Sequence, residues 1–415
     1  MDQQSQVIGR KAGSAQGALL LIASALPVMG VVLLSPVAHR LPEALGPGPG
    51  GMNLAPIVLT APALAIALFS ALGGYLADLF GRRVCLLAAL FIYGFLGTAP
   101  LWIENPYAII ISRFGLGMAE AVIMATSIAL IGDYFQGAVR DRWVAYMMAV
   151  AAFSATLFYI AGGILGGFGW KAPFAAYGAS FFIFLVAIPL IFEPDVPRKA
   201  PGPAGSKASD RPAGGIPWVM AGVLFATFIG SILFYIVPLQ MGGFLAARGL
   251  TSSAQIGLCI AIASIGNPIG SFSFRYLRTL RFAPLLAGST ALSAAGLLVA
   301  ALVPGVPALV IGAFINQLGC GVLCPLTMAT VLRLAPIHRR GTSGGSWSSF
   351  FFVGQFFSPL VILPLMAVDP SSGGLMPLVI ANAVYACASF LAFRSLSPRT
   401  LEEYPEAPHS ELAKA

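Results

Sequence analysis

Two charged side chains stand where an apolar chain should hold none. The stretch "SRFGLGMAEA", Ser112 to Ala121, places Arg113 and Glu120 inside the apolar run 106–132. Seven residues of α-helix turn by about 700°, so the two side chains fall within about 20° of one another, with Gly117 on the same stripe. If the helix begins near Pro106, Arg113 lies about 10 Å along it and Glu120 about 20 Å along it, at about 1.5 Å per residue. A carboxylate at that depth in a bilayer costs about 3 kcal/mol or more, and such groups face a cavity or a partner. Burial disfavours the ionised form and a nearby guanidinium favours it. A carboxyl held between those influences can take up and release a proton when water access changes sides. The plainer alternative is a static salt bridge between helices.

A second cluster interrupts the apolar pattern at "GGYLADLFGRR", Gly73 to Arg83, where Gly74, Asp78, Gly81, Arg82 and Arg83 meet at one corner. Glycine lets a chain turn sharply and lets neighbouring helices approach. An acid placed at a helix N-terminus meets the positive end of a dipole. A third group, "DYFQGAVRDR", supplies Asp133, Arg140, Asp141 and Arg142, which can be solvated loop charges.

The elements that carry these residues are set by composition. Of 415 residues 58% are hydrophobic and 9% are charged, against about 25% charged in soluble domains. A helix needs about 20 apolar residues to cross a bilayer. Twelve runs qualify, near 17–36, 53–77, 84–103, 106–132, 143–167, 172–192, 218–241, 252–274, 283–303, 306–332, 343–367 and 374–394. Membrane strands would be shorter and alternating, so an all-α membrane protein with twelve transmembrane helices is expected. The first sixteen residues are polar and carry no cleavage pattern, and the first span is expected to serve as an uncleaved insertion signal.

The net charge of +8 follows from orientation. Of the 23 Lys and Arg, 19 fall on one side of the twelve-span arrangement; three, Arg40, Lys171 and Arg248, fall on the other, and Arg113 lies within a span. The positive-inside rule then sets both termini in the cytoplasm of a multi-pass protein of the inner membrane. The stretch "EPDVPRKAPGPAGSKASDRPAGGIP" is rich in Pro, Gly, Ser and charge and reads as a flexible linker over 194–217. It divides the chain into six spans over 1–193 and six over 218–415 with a tail. Setting "FGLGMAEAVIMATSIAL" over "FINQLGCGVLCPLTMAT", and the corner over "GSFSFRYLRTLR", suggests a duplication at an offset of 200 residues, with Phe274 where the corner has its acid. Two pseudo-symmetric six-helix bundles with a cavity between them are a transporter architecture.

With these features the sequence resembles the major facilitator superfamily over essentially its whole length. The pattern G-x-L-a-D-R-x-G-R-R/K of that family's loop between spans 2 and 3 is met by Gly74, Leu76, Asp78, Gly81, Arg82 and Arg83, with Leu79 at the middle basic position. The resemblance implies that Asp78 docks against the start of span 11, near 341–345, and closes the cytoplasmic side, and that Asp133, Arg140 and Arg142 join a cytoplasmic charge cluster. Arg113 and Gly117 resemble the family's span-4 motif linked to proton coupling, with Leu116 in place of its glutamine, and the Glu-Ala that follows is similar to span 4 of Spinster-type and organic-anion transporters. Gly162, Gly163, Gly166 and Gly167 resemble the antiporter motif of span 5, and generic glycine-mediated helix packing explains the same spacing.

In the second half the polar residues within spans are neutral. Asn316, Gln317 and Gln355, with Tyr159, Phe153 and Tyr235, are expected to line a mostly apolar pocket for an amphipathic small molecule, and interhelical bonding is an equal claim on each polar side chain. The five cysteines lie in or beside spans and form neither a disulfide framework nor a metal knuckle. No phosphate loop, metal cluster or soluble catalytic domain is visible, so no enzyme, cofactor, ATP-driven pump or nucleic-acid partner is expected. The expected function is secondary active transport by a monomer in the lipid bilayer, as proton-coupled export of an amphipathic or lipophilic compound. Uptake of a small organic acid is the alternative within transport, and a membrane-embedded enzyme or scaffold is the alternative of a different class.

Overall fold

In lipid every backbone N–H and C=O must be satisfied within the chain, and a helix does this segment by segment. The structure, a computed structural model, accordingly builds its apolar runs as helices. It describes residues 12–46, 49–194, 216–277, 279–335 and 340–394. The helices are α1 (Ser14–Val32), α2 (Leu41–Ala44), α3 (Pro49–Phe80), α4 (Arg82–Thr98), α5 (Pro106–Tyr134), α6 (Gly137–Gly166), α7 (Ala179–Leu190), α8 (Ile216–Ala247), α9 (Ser253–Ser264), α10 (Gly266–Leu277), α11 (Phe282–Leu302), α12 (Val306–Leu334), α13 (Arg340–Val368) and α14 (Leu375–Phe393), with 3-10 turns at Ser35–Arg40, Ala99–Leu101 and Ala172–Gly178. Among the described residues eleven stretches are long and apolar enough to cross a membrane, and α3 supplies a twelfth, bent by 60° between Leu54–Ser70 and Leu72–Phe80. The bend falls beside Ser70, Gly73 and Gly74, the kind of small-residue site at which helices kink.

The chain-order repeat expected from sequence reappears in the helix boundaries. α5 starts at Pro106 and ends at Tyr134, and α12 starts at Val306 and ends at Leu334. α4 and α11 likewise begin at Arg82 and Phe282. The eighth apolar run differs from its single-helix expectation, because it breaks at Ile265 into α9 and α10 just before Pro268. Pro268, in the first turn of α10, lacks the N–H that would bond to the carbonyl of Ser264, the last residue of α9.

The structure clusters into two compact units, 1–212 with 238–261 and 213–237 with 262–415. In the first, α3 packs along α5, α4 on α5 and α7, and α1 on α5 and α6. Small residues set the spacing. A Cβ added to Gly117 of α5 would collide with the backbone of Pro62 in α3, and one added to Gly162 of α6 would collide with the carbonyl of Leu33 just past α1. In the second unit α11 packs on α12 and α14, and α10 on α12. Its core gathers Val219, Val223, Phe282, Leu286, Leu323 and Phe393. Phe274, which replaces the corner's acid, packs against that core.

Candidate functional site

α5 begins at Pro106 behind an Asn105 cap whose side chain accepts from the N–H groups of Tyr107 and Ala108. The helix then carries Arg113 and Glu120 into the first unit on one face, and both side chains are completely buried. Arg113 does not pair with Glu120, and no ion pair joins them among the described residues. Its Nη2 instead donates to the Gly30 carbonyl at 2.5 Å, its Nε donates to the Val58 carbonyl at 3.3 Å, and Nη1 is buried without a partner. The guanidinium carbon lies 5.3 Å from the ring centre of Tyr177 and 6.0 Å from that of Phe174. Aromatic faces attract a cation most when water is excluded.

Both carboxyl oxygens of Glu120 are buried and have no hydrogen-bond partner. They lie against Gly30 of α1, where any Cβ would overlap the Oε1 atom. Gly30 therefore touches both charged residues, one through its carbonyl and one through its missing side chain. Two tyrosines fasten the same turn of α1, Tyr177 donating to the Gly30 carbonyl at 3.3 Å and Tyr93 to the Leu26 carbonyl at 2.7 Å. An ionised carboxylate stranded without donors is costly, and the neutral acid escapes most of that cost. The arrangement can hold a proton, and it keeps a guanidinium nearby whose Nη1 makes no hydrogen bond.

The cytoplasmic-corner residues are only partly brought together. Arg82 pairs with Asp133 at the end of α5, donates to the Ala129 carbonyl at 3.1 Å and lies 3.9 Å from Asp78. Asp78 occupies the last turn of α3 with its side chain 73% exposed. The acid at the N-terminus of α4 is Glu193. Its two oxygens accept from the backbone N–H groups of Arg82 and Arg83 at 2.8 and 2.9 Å, capping α4. Gly81 makes room for this carboxylate and adopts φ of +96°, a conformation that favours glycine. Gly73, rather than Gly74, packs closely on α5, since a Cβ at Gly74 would meet open space. Arg83 donates to the Ile188 carbonyl at 2.9 Å. Arg140 forms an exposed pair with Asp141, and Arg142 is exposed; neither joins the Arg82–Asp133 pair. The span-11 stretch 341–345 begins outside the residues whose side chains are described.

Of the expected pocket residues, several serve helix packing. Asn316 donates to the Ser293 hydroxyl at 2.7 Å, and Gln317 donates to the Phe234 carbonyl at 2.8 Å. Tyr235 is buried edge-on against Phe234, and Tyr159 is buried in α6. Phe153 is 73% exposed on α6. Gln355 differs from these: it is wholly buried on α13 and neither end of its amide has a partner. It lies one turn from Phe351, which with Thr227, Ser231, Cys324 and Thr327 lines a small recess in the second unit. No group of three or more His, Cys, Asp or Glu able to hold a metal occurs among the described residues.

Sequence reasoning missed Gly30, Tyr93, Tyr177 and Glu193. Glu193 carried a signal, as an acid placed directly after an apolar run in "IFEPD".

The family described as the Major Facilitator Superfamily matches residues 20–359. This chain belongs to the major facilitator superfamily. Superfamily membership places the chain among multi-pass membrane transporters rather than enzymes. Similar proteins include the Tetracycline resistance protein, class C, of Escherichia coli, 25% identical over 374 residues that span 87% of this chain and 92% of that one. The Quinolone resistance protein NorA of Staphylococcus aureus is 23% identical over 344 residues, spanning 80% of this chain and 85% of that one. The chain spans less than half the length of the first curated relatives it matches, 23% and 43%. Among solved structures a D-xylose-proton symporter has the same fold, with a TM-score of 0.74 at 16% identity over 90% of this chain and 96% of that one.

Proposed function

We propose that this chain is a proton-coupled exporter of small amphipathic compounds that works by alternating access, with Glu120 as the proton-carrying group. The carrying observation is the fully buried Glu120 carboxyl, without any hydrogen-bond partner, beside an Arg113 bound to backbone carbonyls and aromatic faces. A purely structural salt bridge would join the two side chains. When the site gains water the carboxyl exchanges its proton, and the ionised form draws Arg113 toward it. Export is the favoured direction because long matches run to resistance proteins.

In this reading residues 1–193 and 218–415 form the two moving halves, joined by the linker 194–217, with both termini cytoplasmic. The protein acts as a monomer in the inner membrane. Asp78 latches the cytoplasmic side against the start of span 11, and Gln355 is the strongest candidate among the second-half residues for a polar contact with substrate.

Glu120→Gln keeps the shape of the neutral acid and removes its proton. In proteoliposomes the variant is expected to lose accumulation driven by a pH gradient while keeping substrate exchange. A Glu120→Gln protein that still concentrates substrate ends the coupling assignment. Everted vesicles test direction, since an exporter loads them with substrate when their interior is acidified.

A further inference from the structure

The end of α8, the loop after it and the start of α9 belong to the second half in chain order, yet residues 238–261 pack into the first unit. The seat is built from backbone in close contact. A Cβ on Gly242 would lie 2.7 Å from the Ser35 carbonyl oxygen, and one on Gly163 would lie 2.7 Å from that of Ser253. A Cβ on Gly257 would lie 2.5 Å from the Tyr159 carbonyl oxygen. Across this seat reaches Arg40, which follows α1 at the end opposite the Arg82 corner. Its Nη1 donates to the carbonyl of Gly166 at 3.2 Å, and its Nη2 donates to the carbonyl of Thr251 at 3.4 Å. Gly166 is the last residue of α6, and its carbonyl, at the negative end of the dipole, also accepts from the Gly169 N–H at 3.2 Å, so the Arg40 bond is a second one to that oxygen.

The rest of the seat is poorly satisfied. The hydroxyls of Ser35 and Ser253 and the Nδ1 atom of His39 are buried there without hydrogen-bond partners. Buried polar groups without partners penalise the state that buries them, and that penalty is relieved when water enters. One arginine therefore binds the seat together while three polar atoms favour its opening.

We propose that Arg40 is the outer latch of the transport cycle, holding segment 238–261 against α6 through two backbone carbonyls, and that the stranded hydroxyls keep the closed state close to balance with the open one. The inference rests on the alternating-access reading and is independent of proton coupling.

The test uses accessibility rather than transport. Val37 is fully buried beside Gly166, and Val37→Cys in a background with the five native cysteines replaced reports opening of the seat to a membrane-impermeant maleimide. Arg40→Gln is expected to raise the labelling rate by about fivefold or more, and Arg40→Lys by less, because lysine keeps the charge and loses the fork. Ser253→Ala removes a stranded hydroxyl and is expected to lower the rate. General damage to the fold would raise it in both Arg40→Gln and Ser253→Ala. Equal rates in Arg40→Gln and the parent protein, or a rise in both substitutions, overturns the latch. Because labelling needs neither substrate nor gradient, a failure here leaves the Glu120 assignment to its own experiment.

Discussion

Gly30 acts in two ways on the buried charges of α5. Its carbonyl accepts from Arg113, and its lack of a side chain leaves the space that the Glu120 carboxyl fills. Gly30→Ala is therefore expected to destabilise the protein by about 1–3 kcal/mol, since the new methyl must displace a fully buried carboxyl. In a Glu120→Ala background the same substitution should cost little, because the colliding atoms are gone. Thermal unfolding of the four purified proteins completes the cycle, and an equal cost in both backgrounds would place the strain elsewhere. Glu120 and Arg113 were legible in the sequence because a charge inside an apolar run is conspicuous whatever surrounds it. Gly30 was not, because its meaning depends on which helix lies opposite, a contact across 83 residues of chain in the case of Arg113. The same applies to Tyr93 and Tyr177, whose hydroxyls are defined by the α1 carbonyls they reach.

At the scale of elements, the corner between α3 and α4 shows how a short motif recruits a distant residue. Gly81 turns the chain, α4 begins at Arg82, and the orphan amides of its first turn are met by Glu193 from beyond α7. Glu193→Ala should speed hydrogen exchange at the amides of Arg82 and Arg83 and leave the middle of α4 unchanged, with a loss of about 1 kcal/mol in stability. Uniform exchange along α4 in both proteins would show that the cap holds nothing. The sequence marked Arg82, Arg83 and Asp133 as charges near this corner but did not single out Glu193, because only the fold brings that carboxylate across to the α4 amides. Apolar length located most spans within a few residues, whereas the break between α9 and α10 was missed. There the apolar run continues through Ile265, and the break is set by Pro268, whose missing N–H leaves the Ser264 carbonyl without its helical donor.

For the whole molecule, the distribution of charge makes the strongest sequence-level claim. Nineteen of 23 basic residues fall on one predicted side, and Arg40, Lys171 and Arg248 fall on the other. Orientation is set mainly by Lys and Arg in short loops near span ends, so this bias outweighs any effect of the acidic residues. The two ends of α1 have different neighbours: Gln16, near its start, donates to the Leu190 carbonyl at the end of α7, whereas Arg40, beyond its end, bonds to the last residue of α6. The residues 195–215 of the linker lie outside those described, and labelling is the direct way to assign their side. In a background with the native cysteines replaced, Ser206→Cys is expected to react with an impermeant maleimide only in everted vesicles, and Lys171→Cys only in intact cells. Reaction of Ser206→Cys from outside would invert the topology. The Arg40 latch would then lie on the cytoplasmic face and the Arg82 corner on the outer one, although the contacts within each would be unchanged.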